Sequence, residues 1–291
     1  METDIKVWLV TTDHLEEGLW FREEQDFKVG MNYVAALAAD LPVFILAFIL
    51  MSNHVHFVLM GQKEDVEVFI NELKRRYAQY IQNRYGSAKF LKDNHVDIQH
   101  IPFEDEAIER AIAYVLMNSV AANICSHSSQ YPWGSGAVYF SAASPKGTRI
   151  DSLSKRECIR LMRSKAEVPG HWLVGDEGYI LPSSYVKIDY VEQLYRRPSR
   201  LDYFLRSSSK ARRRLESGYD AQASFKDQTI LNALPELCWA LFGKPSFREL
   251  SDEQKTEVLR QLRFRFSSNV HQLARVAGLG YDAAARMLDS Q

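Results

Sequence analysis

An α+β unit over residues 1–145, an antiparallel sheet with helices packed on it, followed by a mainly helical C-terminal part, is the architecture this sequence predicts. Three observations carry the prediction. Hydrophobic periodicity runs in the order strand, helix, hairpin, helix, strand, helix. Two apolar runs, Pro42 to Leu50 and His54 to Met60, are separated only by Ser52-Asn53, as in a tight hairpin between central strands. Regular patterning then stops at Ser141 to Gly147, where Ser, Ala, Pro and Gly replace it as in a linker.

The elements follow in order. Lys6 to Thr12 is β-branched and aromatic, a first strand, and Glu23 to Ala39 has helical character. Val66, Phe69, Ile70, Leu73, Tyr77, Tyr80 and Ile81 recur at three- and four-residue spacing, which predicts a long amphipathic helix capped at Asp65. Val96 to Ile101 is a short fourth strand. Beyond Pro102, one more helix runs from Glu106 to Ile124, with Ile108, Ala111, Ile112, Val115 and Ser119 on one face. Residues 150–225 form a basic accessory segment, and 226–291 a helical C-terminal region. The latter has a helix at about Asp252 to Phe266 and two short helices around Gly278, patterned as a helix-turn-helix or a plain helical hairpin.

Bulk properties bound the function classes. The 291 residues, 46% hydrophobic and 25% charged, suffice for a well-buried core. A formal charge of -1 neither favours nor disfavours a polyanionic partner, so the distribution of charge decides. Between residues 195 and 215, Arg196, Arg197, Arg200, Arg206, Lys210, Arg212, Arg213 and Arg214 face only Asp202, with Tyr195, Tyr203 and Phe204 interleaved. That stretch offers phosphate contacts and stacking surfaces, or else a solvated, salt-bridged helix face. Cys125, Cys158 and Cys238 are far apart with no CxxC pair and read as reduced cytoplasmic thiols. An acidic N-terminus and no apolar run long enough to span a bilayer predict a chain with no membrane partner.

Two constellations offer chemistry. In the strand His54-Val55-His56-Phe57, a period of two puts both histidines on one face and Val55 and Phe57 on the other. Two imidazoles so placed suit one divalent ion with positions left for substrate oxygens, though strand-end histidines on a half-exposed sheet give the same pattern. Tyr114 and Asn118 stand at i and i+4 on the helix that ends the unit. A tyrosine there is a phenol nucleophile or a core-edge anchor with a wet hydroxyl. A neutral phenol, with a pKa of about 10, attacks poorly without help. His95 and His100 have no such spacing and read as surface or structural residues.

The segment Met51-Ser52-Asn53-His54-Val55-His56-Phe57-Val58-Leu59 resembles the NHVH strand of the HUH single-tyrosine transposases, the IS200-like and REP-associated tyrosine transposases among them. Tyr114-Val115-Leu116-Met117-Asn118-Ser119-Val120 resembles their Tyr-x-x-x-Asn helix, and Tyr131-Pro132-Trp133-Gly134-Ser135 their YPWSS-like segment. Ser119 stands where a proline is usual, and Gly134 where a serine is. The resemblance covers about residues 5–140. It implies a ferredoxin-like, RRM-like sheet, with His54, His56 and Asn118 as ligands of Mg²⁺ or Mn²⁺ and Tyr114 as nucleophile. Single-stranded DNA beside a hairpin is the implied substrate, cut through a 5′-phosphotyrosine link and rejoined in transposition. Members often dimerise, and a nucleoid-associated protein of the cytoplasm is expected.

Two rivals remain. A relaxase or replication-initiator nickase would place its tyrosine before the histidines, whereas Tyr114 follows them. A non-catalytic or domesticated DNA-binding regulator of repetitive hairpin sequences would keep the fold without cleavage.

Overall fold

A computed structural model describes residues 5–13, 19–86, 91, 94–122, 124–164, 166–208, 227–266, 268 and 270–289. Strand β1 (Lys6–Thr12) leads to helix α1 (Glu24–Asp40), the hairpin β2 (Phe44–Met51) and β3 (His54–Gly61), helix α2 (Lys63–Tyr85) and strand β4 (Val96–Ile101). The four strands form an antiparallel sheet in the order β2-β3-β1-β4.

The sheet is covered on both faces. Phe57, from the Val55 side of β3, meets Phe69 of α2 edge to face at 5.4 Å. Helix α1 packs beside α2, and Trp20, Phe21, Phe27 and Tyr77 fill the space between with stacked and tilted rings. Each large apolar side chain buried there contributes about 1.5–3 kcal/mol. The opposite face receives α3 (Ala107–Leu116), which packs on β2, β3 and β4.

Three expectations are corrected. Asp65 does not cap α2. The helix starts at Lys63 behind Gln62, and Glu64 and Asp65 lie in its first turn, where carboxylates complement the positive end of the helix dipole. Strand β2 is an edge strand of the sheet rather than a central one. Its apolar character has another cause: loops cover the outer edge. Leu50 N donates to Trp133 O at 2.8 Å, Ser135 N to Phe48 O at 3.0 Å and Lys187 N to Ile45 O at 2.9 Å. Tyr131 and Tyr139 hydroxyls donate to the Leu50 and Leu46 carbonyls. The Tyr131–Ser135 segment thus completes the sheet and blunts an edge that would otherwise invite pairing. Gly134 is needed there, because a Cβ would stand 2.7 Å from the Phe48 carbonyl oxygen.

The third correction concerns the last helix of this unit, which is interrupted. Helix α3 stops at Leu116, and a single turn, α4 (Asn118–Ala121), follows after Met117. Asn118 Nδ2 donates to the carbonyls of Tyr114 at 2.8 Å and Val115 at 3.3 Å. The side chain thereby competes with the backbone for helix acceptors, which is how asparagine ends helical turns.

The two-stranded ribbon β5 (Thr148–Arg149) and β6 (Leu173–Val174), with α5 (Lys155–Met162) between, leads to α6 (Ile188–Tyr195) and α7 (Pro198–Ser207). Trp172, Tyr185, Tyr195 and Phe204 join the same hydrophobic core as the sheet. A separate core is built by α8 (Asp227–Phe242), α9 (Asp252–Phe266), α10 (Val270–Ala277) and α11 (Tyr281–Asp289), around Leu237, Val258, Leu262 and Leu273. Gly278, with φ +66°, makes the turn between α10 and α11. Among the described residues no helix is long and apolar enough to cross a membrane.

Candidate active site

His54 and His56 sit at the start of β3, directly after the Ser52-Asn53 turn, and both are buried. Their ring centroids lie 4.7 Å apart at an interplanar angle of 83°. The shared face expected from strand period is therefore present, and these are not half-exposed strand-end residues. Tyr114 of α3 meets His56 edge to face at 5.4 Å. The fold has brought the two constellations, 58 positions apart in sequence, into contact.

Each imidazole is held by a neighbour through Nδ1. His54 Nδ1 donates to Asn53 Oδ1 at 2.7 Å, and a 3.0 Å hydrogen bond joins His56 Nδ1 to Thr11 Oγ1. A proton on Nδ1, which an amide oxygen acceptor requires, places the neutral ring's lone pair on Nε2, the form that ligates a metal. Thr11 is the cross-strand partner of His56 in the β1–β3 register, and the next residue, Thr12, accepts from Val55 N at 3.0 Å. Neither Thr11 nor Asn53 stood out in the sequence as a site residue. Strand register identifies Thr11 only once β1 is aligned against β3.

Tyr114 is half-buried, and burial raises its pKa above the usual phenol value. The hydroxyl is accordingly neutral near pH 7. Asn118, the first residue of α4, is buried, with its amide oriented by the α3 carbonyls of Tyr114 and Val115. Among the described residues no group of three or more His, Cys, Asp and Glu stands together for a metal. The two imidazoles on one sheet face are nevertheless donors of the type that a divalent ion shared with substrate oxygens takes.

Among the described residues of the basic stretch, Arg200 is engaged at the start of α3. Arg200 pairs with Glu106 at 2.9 Å and with Glu109 at 3.4 Å, and it lies over the Phe204 ring. Tyr195, fully buried, donates to the Glu109 carbonyl at 2.7 Å. Glu109 is part of α3 and Glu106 its cap residue, so α6 and α7 brace the helix that carries Tyr114. Arg196, Arg197 and Arg206 are exposed on α6 and α7 or their ends. Lys210, Arg212, Arg213 and Arg214 lie outside the described residues.

Replacing Thr11 by valine keeps the β-branched shape and deletes the His56 tie. It is expected to weaken Mn²⁺ binding by roughly 10- to 100-fold, as removal of such supporting bonds does at other metal sites. Isothermal titration of wild type and variant checks this, and equal affinities would mean that Thr11 does not position the ring.

No curated protein matches the chain. One solved structure, "Structure of the REP associates tyrosine transposase bound to a REP hairpin", is similar over 44% of this chain and 75% of that one, at 16% identity and a TM-score of 0.35. The family described as "Transposase IS200 like" matches residues 19–96, a span that holds His54 and His56 and ends before Tyr114. Over residues 19–96 the chain is thus similar to the IS200-like transposases.

Proposed function

We propose that this protein is a transposase that cuts and rejoins single-stranded DNA, with Tyr114 as nucleophile. The observation that carries the reading is the contact of the Tyr114 ring with His56, at 5.4 Å, on the sheet face that also presents His54. The family match supports the histidine strand, and the Tyr-x-x-x-Asn resemblance with the ring contact supports the tyrosine.

In the proposed reaction the Tyr114 oxygen attacks a DNA phosphorus and the 3′-oxygen leaves. The product is a 5′-phosphotyrosine and a free 3′-hydroxyl, the phenol's proton passing to the leaving oxygen; a 3′-hydroxyl of another cut strand then attacks the phosphotyrosine phosphorus, which joins the two strands and returns the tyrosine as leaving group. The number of phosphoester bonds is unchanged, so no nucleotide cofactor is consumed. His54, His56 and Asn118 would hold Mg²⁺ or Mn²⁺, which supplies Lewis-acid polarisation of the scissile phosphate. Asn53 and Thr11 fix the imidazoles, and the brace of Tyr195 and Arg200 on α3 fixes the line along which Tyr114 approaches. The setting is the nucleoid, and DNA hairpins are the substrate class.

The test is incubation of the purified chain with labelled single-stranded hairpin oligonucleotides from the flanks of its own gene, resolved on denaturing gels. A covalent protein–DNA band is expected with Mg²⁺ or Mn²⁺, absent with chelator and absent in His56→Ala. Tight binding with no covalent band in either metal would replace this reading by that of a DNA-binding regulator.

A further inference from the structure

A cleft of about 630 Å³ opens on the other side of the sheet, between α1, α2 and the end of α5. Four arginines line it, Arg75, Arg76, Arg84 and Arg163, against one acidic residue, Asp40. Neutral lining would not need such a surplus, and carboxylates near it hold only some of these cations. Arg75 is tied to Glu72, and Arg84 to Glu23. Arg76 touches Asp40 at 3.3 Å and Glu72 at 3.5 Å, yet its Nη1 is buried and makes no hydrogen bond among the described residues.

Arg163 differs from the rest. It ends α5 in a left-handed conformation, with φ +48°, and its guanidinium lies over the Tyr80 ring at 5.0 Å. An aromatic face holds the cation while leaving its N–H edges for an acceptor. Tyr33, also lining the cleft, has its pKa raised by burial and drawn down in part by Arg163 and Arg76. The planar fork of Arg163 and the open Nη1 of Arg76 on a concave surface match phosphate oxygens.

We propose that this cleft is a second contact site for single-stranded DNA, gripping backbone phosphates through Arg163, Arg76 and, on exchange of its Glu72 partner for phosphate, Arg75. The inference rests on the DNA-handling reading above. Because α1 and α2 cover the Val55–Phe57 side of β3 while α3 covers the histidine side, a strand held here lies across the sheet from Tyr114. The cleft would therefore hold flanking DNA rather than the scissile phosphate.

Anisotropy titrations of a labelled single-stranded hairpin oligonucleotide over a range of salt test the proposal on the full chain. The double variant Arg75→Gln with Arg163→Gln removes two exposed charges and no buried packing. Its affinity is expected to fall roughly tenfold or more, with the slope of log K against log salt shallower by about 0.7 for each phosphate no longer neutralised. Arg163→Lys should retain the wild-type slope. A double variant that matches wild type in both quantities overturns the cleft and leaves the active-site reading intact. A wild-type chain that binds no such oligonucleotide overturns both.

Discussion

Tyr114→Phe is expected to lose the covalent protein–DNA band by roughly 10⁴-fold or more, to the assay background, since no other atom of the side chain can accept the phosphoryl group. Single-stranded DNA affinity should stay near wild type, because the phenylalanine ring keeps the edge-to-face contact with His56. The two readouts together separate a missing nucleophile from a collapsed fold. Burial holds the Tyr114 phenol neutral near pH 7, so the reacting group must shed its proton as it attacks, and band formation should accelerate as pH rises through the neutral range. The chain has 14 tyrosines, and peptide mapping of the adduct decides which one carries DNA. An adduct that persists in Tyr114→Phe would move the nucleophile elsewhere and dissolve the proposed pairing with His56.

Much of this site was legible because its parts obey local periodicities. A period of two gave the common face of His54 and His56, whereas the 3.6-residue period that set Asn118 on the helical side of Tyr114 ran through the break at Met117. What sequence could not supply was set by contacts across long separations. The loop over β2 is one case: an apolar edge strand looks central until Trp133, Ser135 and Lys187 are seen to satisfy its outer backbone groups. Another is the break at Met117, which follows from where the Asn118 amide donates rather than from any breaker residue. The basic stretch shows a third limit. Arg200 looks like a phosphate ligand by composition, yet Glu106 and Glu109, more than 90 positions earlier, take its guanidinium. The arginines of the cleft were invisible for the converse reason, being scattered through α2 and the end of α5 and gathered only by packing.

The largest stability effect is expected at Asp26, in the first turn of α1. Its side chain is fully buried and its oxygens are fully committed. Tyr80 Oη donates to Oδ1 at 2.6 Å, Tyr85 Oη to both oxygens at 3.0 and 3.1 Å, and Arg22 N to Oδ2 at 2.9 Å. Burial first, and then the carboxylate itself, raises the pKa of both tyrosines, so they act as donors throughout the physiological range. Arg265 of α9, buried and with its pKa lowered by that burial, is held toward its charged form by Glu23, Tyr85 and Asp26. One carboxylate thus joins the start of α1 to the end of α2. Asp26→Ala leaves two hydroxyls and the Arg84 guanidinium without their buried carboxylate, which should cost about 3–5 kcal/mol of unfolding free energy. Asp26→Asn keeps one acceptor oxygen and should cost less. Urea denaturation followed by tryptophan fluorescence suits the measurement, because Trp20 packs on Tyr77, one turn of α2 from Tyr80. A change below about 1 kcal/mol for Asp26→Ala would mean water already satisfies these groups and the two helices meet without this tie.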